Sequence, residues 1–325
     1  MTQQHLKHAV QPGGRPKPTW IRAHLILLIC VVLVLSVAVA LAAVRLTSTP
    51  SPPVHLGPVR YVGVYVRGAP TSYAGVDQFS QEIGTQPDVA SYYSSWGEPF
   101  QGGFARTAAR HGATPLVQMN PANVSLAAIA SGAYDTYLRS FADAVRSYHH
   151  PVIVGFGHEM NGWWFSWGYR HTSPQTFVAA WRHIVTLFRA RGATNATWLW
   201  TINIVDPHGG IRPPAPWWPG SAYVTWVGID GYYFKSSWSF APLFGPTIKA
   251  VKAITKDPIL IAETGAGRIA GQTAKIPDLF AGIRSYGLLG FVWFDAVAIQ
   301  DWRLEGPSAF RAFHQGMKSY KRSTP

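Results

Sequence analysis

Two of the chain's five glutamates stand where chemistry is done. Glu159 closes the apolar run PVIVGFGHE and Glu263 closes ILIAE, whereas Glu82, Glu98 and Glu305 fall in helical or loop segments. A carboxyl at the end of an apolar strand is costly to desolvate, so its presence asks for a use. Two such groups facing one cavity suit cleavage of a glycosidic bond. One carboxylic acid protonates the leaving oxygen while the other carboxylate attacks the anomeric carbon or activates water. Around Glu159, the stretch GHEMNGWWFSWG sets Trp163, Trp164, Phe165 and Trp167 within five positions. Pyranose rings pack their apolar faces on flat side chains, so these residues, with Trp217, Trp218, Trp226 and Trp238 further on, are candidate sugar platforms. Core filling competes for any single tryptophan, but adjacent residues of one loop cannot all point inward.

Other chemistries lack their residues. His158-Glu159 would begin a zinc-binding H-E-x-x-H helix only with a histidine at 162, where Gly162 stands. There is no G-x-S-x-G elbow, phosphate loop or Cys/His metal spacing. Neither a metal nor an organic cofactor is expected. No Lys/Arg run interleaves with aromatics, so nucleic acid is not an expected partner.

The elements that position these residues alternate between two periods. Strand-like runs at 60–66, 89–94, 114–120, 151–159, 195–203, 224–233, 257–264 and 288–295 are separated by helical patterns, clearest at 125–148 and at 173–192. Ser173-Pro174 and Arg191-Gly192 supply start and stop signals for the second of these. Eight βα units in one domain predict an α/β fold, a (β/α)8 TIM barrel, whose site lies at the C-terminal strand ends. Those ends carry His158-Glu159, Asn203, Asp230-Gly231-Tyr232, Glu263, Trp293 and Asp295. Asp230 and Asp295 are expected to cap helices or bond backbone amides rather than line the pocket.

The remaining sequence bounds the setting. Aromatic residues make up 14% of the 325 and charged residues 13%, a balance that suits an aromatic-lined groove. The single cysteine, Cys30, allows no internal disulfide. Net charge is +13, and five of the cations sit in the first 45 residues, where there is no acid. Residues 25–44 are uncharged and apolar, long enough to span a bilayer as a helix. The expected organisation is a cytoplasmic basic tail at 1–23, a single transmembrane anchor at 24–45, a Pro/Ser/Thr linker at 46–58 and a catalytic barrel at 59–320 outside the cell membrane. A cleaved signal peptide is the alternative, because Ala38-Val39-Ala40 and Ala40-Leu41-Ala42 have the small-x-small form, and the domain would then be secreted.

In their order and at these strand ends, GHEMNGWWFSWG, WVGIDGYY, ILIAETG and FVWFD resemble glycoside hydrolase family 26, the β-mannanase family of retaining barrel enzymes, over roughly residues 59–318. The resemblance implies Glu159 as general acid/base and Glu263 as nucleophile. It further implies His158 as the support of the acid/base, and Tyr232 as the hydrogen-bond partner of the nucleophile. Trp164, with Trp163 as the neighbouring alternative, and Trp293 match aromatic sugar-binding positions, and Asn203 and Trp167 complete the expected substrate-binding set. The implied activity is endo-acting cleavage of β-1,4-mannosidic bonds in a mannan-type polysaccharide. A β-1,3/1,4-glucanase of the same mechanism and a membrane-tethered glycan-binding protein without turnover are the alternatives. The Trp-Trp-Phe loop and the N-terminal anchor depart from the family pattern.

Overall fold

The computed structural model describes residues 61–205, 210–268 and 271–322. Within them the apolar runs pair in chain order as parallel strands: β1 (Tyr61–Val66), β2 (Val89–Ser95), β3 (Thr114–Asn120), β4 (Val152–Phe156), β5 (Ala196–Asn203), β6 (Trp226–Asp230), β7 (Ile259–Thr264) and β8 (Gly290–Asp295). β8 returns to β1 and closes the sheet into a barrel. Helices separate the strands: α1 (Ala74–Ile83), α2 (Gly102–Arg110), α3 (Leu126–Ala130), α4 (Asp135–Tyr148), α5 (Pro174–Ala190), α6 (Phe240–Lys252), α7 (Gln272–Tyr286) and α8 (Gly306–Arg322). A 3-10 turn at Ala215–Trp217 joins β5 to β6. This is the expected (β/α)8 architecture.

Two expectations about the elements are corrected. The helical stretch at 125–148 is two helices, because the chain turns at Ser131, whose backbone N–H folds back onto the Ala127 and Ile129 carbonyls. The fourth strand stops at Phe156, three residues short of Glu159. The start of α5 is as expected: Pro174 opens the helix and the Ser173 hydroxyl accepts from the Thr176 N–H at 3.1 Å.

The period of two along each strand sorts inside from outside. Tyr61, Val89, Leu116, Ile153, Leu199, Trp226, Leu260 and Val292, one from each strand, fill the barrel interior. Their neighbours Val62, Ala90, Val117, Val154, Trp200, Val227, Ile261 and Phe291 belong to the outer layer between sheet and helices. Stepping upward by twos from the inner set reaches Tyr65, Tyr93, Asn120, Asn203 and Phe294, all of which line one cavity at the C-terminal mouth.

Closure of the barrel rests on Gly290, which pairs with Tyr61 on one side and Leu260 on the other. Its φ is 147°, and a Cβ there would collide with the Tyr61 carbonyl oxygen. Gly290→Ala is therefore expected to cost about 2 kcal/mol or more, read as a lowered midpoint of urea unfolding with an unchanged slope. A midpoint equal to that of the parent would show that the seam tolerates a side chain.

Among the described residues no helix is long and apolar enough to cross a membrane. The tail, anchor and linker expected at 1–58 lie outside the described residues.

Candidate active site

Glu263 reaches the cavity through a bulge. Leu260 and Ala262 of β7 belong to the barrel interior and Ile259 and Ile261 to the outer layer, so strict alternation would turn residue 263 toward the helices. Instead Ile229 pairs with Ile261 while Asp230 pairs with Glu263, leaving two residues of β7 opposite one step of β6. The extra residue reverses the phase and aims Glu263 inward. Its Oε1 accepts from the Tyr93 hydroxyl, and its Oε2 accepts from the Tyr232 hydroxyl at 2.7 Å. Burial raises the Glu263 pKa, and the two phenol donations oppose that by favouring the carboxylate. Burial and the Glu263 charge push both phenols well above 10, so they remain donors.

Glu159 stands beyond its strand, held by backbone bonds to both neighbours. The Gly157 N–H donates to the Met119 carbonyl at 3.0 Å and the Glu159 N–H to the Thr201 carbonyl at 2.9 Å. Glu159 has a φ of 55°, a left-handed conformation that costs a non-glycine residue on the order of 1 kcal/mol. Such strain is kept where a side chain has to point one way. The carboxyl accepts from Asn203 Nδ2 on one oxygen and from Trp164 Nε1 at 2.6 Å on the other. Those donors are outweighed: burial first, and the Glu263 charge second, push the Glu159 pKa up to about 8. At neutral pH Glu159 holds its proton.

The remaining strand-end groups fall into place around this pair. His158 lines the cavity with its ring 4.8 Å from Phe165 and 5.5 Å from Tyr93, and burial lowers its pKa to about 3, so the imidazole is neutral. Asp230 does not cap a helix. It is fully buried, and burial together with the Glu263 and Glu159 charges raises its pKa well above the usual range, with the Glu263 backbone a partial counterweight. Asp295 does bond backbone, accepting from the Leu304 N–H at 2.6 Å, and burial pushes it up to about 7.

Of the expected aromatic platforms, the structure brings some to the cavity and not others. The cavity holds about 610 Å³, and Trp164, Trp238 and Trp302 line it. Trp164 lies over Gly162, where a Cβ would meet its indole ring, which accounts for the glycine in the motif. Trp163 is half exposed beside Trp164 and is not part of the cavity wall. Trp167 is a correction: it is buried, donates from Nε1 to the His158 carbonyl at 2.8 Å and stacks on Phe165 at 4.3 Å. Trp293 is another, since it is one residue out of phase with the inner positions Val292 and Phe294. It packs outward against Phe313 and bonds the Trp302 carbonyl at 3.1 Å. Both tryptophans support a neighbour, Phe165 or Trp302, that does line the cavity. Trp217 and Trp226 are likewise buried, the latter inside the barrel.

Tyr93 and Trp302 were not among the expected site residues. Continuing the period of two along β2 would have found Tyr93. Trp302 comes from an irregular loop after β8 and carries no comparable signal.

A closed (β/α)8 barrel whose mouth sets a protonated carboxyl and a phenol-bound carboxyl in an aromatic cavity defines a glycoside hydrolase. Residues 111–315 match the model of glycosyl hydrolase family 26, and the chain belongs to that family. Endoglucanase H of Acetivibrio thermocellus is 30% identical over 273 residues, covering 79% of this chain and 30% of that protein. Mannan endo-1,4-beta-mannosidase A and B of Caldalkalibacillus mannanilyticus is 30% identical over 83 residues, covering 23% of this chain and 15% of its own length. The chain thus spans a minor part of each of these relatives. Among solved structures, a Cellulomonas fimi endo-beta-1,4-mannanase double mutant shares the fold, with a TM-score of 0.63 at 16% identity over 82% of this chain and 71% of that one.

Proposed function

We propose that the protein is a retaining, endo-acting hydrolase of β-1,4-mannosidic bonds in a mannan-type polysaccharide, working by double displacement. The observation that carries this reading is the asymmetry of the pair. Glu159 is held protonated below about pH 8, while both oxygens of Glu263 accept from tyrosines that favour its ionised form. In the first step Glu159 gives its proton to the leaving glycosidic oxygen as Glu263 bonds to the anomeric carbon. In the second, the Glu159 carboxylate takes a proton from water, which displaces Glu263 and returns it to Tyr93 and Tyr232.

Mannan as substrate is supported by the similarity to the mannan endo-1,4-beta-mannosidase and by the fold shared with the Cellulomonas fimi mannanase. A second reading, a β-1,3/1,4-glucanase of the same mechanism, is favoured by the match to endoglucanase H over 79% of the chain. The domain is proposed to act outside the cell, tethered by residues 24–45. Reducing-sugar release from mannan, glucomannan and lichenan separates the readings. Release from mannan and glucomannan is the expected result, release from lichenan alone moves the substrate to the second reading, and release from none of the three would sink both.

A further inference from the structure

Beside the cavity lies a groove of about 460 Å³ that the reaction does not use, lined among others by Tyr169, Arg170, His171 and Arg212. The groove and the cavity share two loops. Ile211 lines the cavity and Arg212 the groove; Trp164 lines the cavity, and His171 Nε2 lies 3.0 Å from the carbonyl oxygen of Trp163.

Two guanidinium groups converge on one phenol there. The Arg212 Cζ is 4.5 Å and the Arg170 Cζ 5.7 Å from the centre of the Tyr169 ring, and Arg212 also donates to the Tyr169 hydroxyl at 2.5 Å. Arg139, Arg191, Arg268 and Arg303 each lie against a carboxylate, but among the described residues Arg170 and Arg212 have none. Like charges brought together repel unless something offsets them.

The arrangement is nonetheless fixed by the backbone. Arg170 adopts a left-handed φ of 78°, uncommon outside glycine and costly to keep. Arg212 is latched from both sides, its N–H donating to the Asn161 carbonyl at 2.9 Å and its carbonyl accepting from Asn161 Nδ2 at 3.1 Å. Both guanidiniums pull the Tyr169 pKa below its usual value, which marks a positive potential at the groove. The region from residue 46 onward carries eight more cations than acids. A pair of planar forks with no carboxylate against it among the described residues is a preorganised receptor for an external anion.

We infer that this groove binds an oxyanion carried by the substrate, specifically a carboxylate substituent on the β-glycan, gripped by Arg170 and Arg212 while the main chain crosses Glu159 and Glu263. The inference rests on the glycanase reading and names the class of polymer within it.

The test compares glucomannan with carboxymethylated glucomannan. Binding is measured with the inactive Glu263→Gln protein by affinity electrophoresis, with and without the added pair Arg170→Gln and Arg212→Gln. Turnover is measured in the parent and in the arginine double variant. The carboxymethylated polymer should bind roughly tenfold more tightly at low salt, and the preference should vanish in high salt and in the double variant. The double variant should keep its turnover of neutral glucomannan, which shows that it folds. The single variant Arg170→Gln should lose part of the preference. Equal binding of the two polymers, or a preference that survives the double substitution, would overturn the inference. Arginine-dependent preference without hydrolysis of either polymer would instead remove the glycanase reading and leave the anion site standing.

Discussion

Replacing Glu263 by alanine is expected to lower kcat on glucomannan by roughly 10⁴-fold or more, because the residue forms the bond that splits one difficult displacement into two. The substitution also empties the space between Tyr93 and Tyr232, whose hydroxyls hold the two oxygens of the carboxylate. A small anion such as azide can then enter from that face. With an activated aryl β-mannoside, azide should restore turnover and yield the α-glycosyl azide, identified by the one-bond coupling between C1 and H1 in its NMR spectrum. Formation of the β-azide would exchange the roles of the two glutamates. Unchanged sugar release from the polymer would remove Glu263 from the chemistry altogether.

The second large effect belongs to Glu159 and is written in pH. Its proton has to be present for the leaving oxygen to depart, and burial with the Glu263 charge holds it to about pH 8. kcat/KM should therefore fall as pH rises through about 8, and Glu159→Gln should remove that alkaline limb while losing roughly 10²- to 10⁴-fold on polymer. The same shift has a thermodynamic face. Below the ordinary value of 4.5 both folded and unfolded chains hold the proton, and the group adds no pH dependence. Between 4.5 and about 8 the unfolded chain releases it and the folded chain does not, so stability declines, and above that range the loss levels off. Glutamine cannot titrate. Its amide also faces donors from Asn203 and Trp164, which adds an offset independent of pH. The observable is thus the difference in Tm between variant and parent, which should move in favour of Glu159→Gln as pH rises from 4.5 to 8. Parallel Tm profiles would show that the folded protein does not hold this proton.

The barrel and both glutamates were legible in the sequence because they rest on the strongest signals, eight apolar runs alternating with helical patterns and a scarcity of glutamates that left only two at strand ends. Inside and outside were less legible. Trp293 and Glu263 are each one step out of phase with the inner positions of their strands, and nothing in the residue types distinguishes them. The bulge in β7 carries Glu263 inward, whereas β8 keeps its phase at Trp293, which turns outward to Phe313. Residue type at a strand end therefore names the chemistry, while backbone register chooses which side chain performs it. The loops were least legible. Trp302, and the meeting of Arg212 with Tyr169 across 43 residues, depend on connections that follow no period.

Because Ala262 is the supernumerary residue of β7, the site depends on the phase of that strand as well as on its spelling. A strand of the same length that ran an unbroken ladder would present this carboxylate to the helices, whereas one shortened by a residue between Ile261 and Glu263 would set the carboxylate directly after an outer position, facing the cavity opposite Asp230 with no bulge at all. Loss of a single codon at the bulge is thus a change of length that the catalytic geometry can absorb, while smoothing the strand at constant length is not.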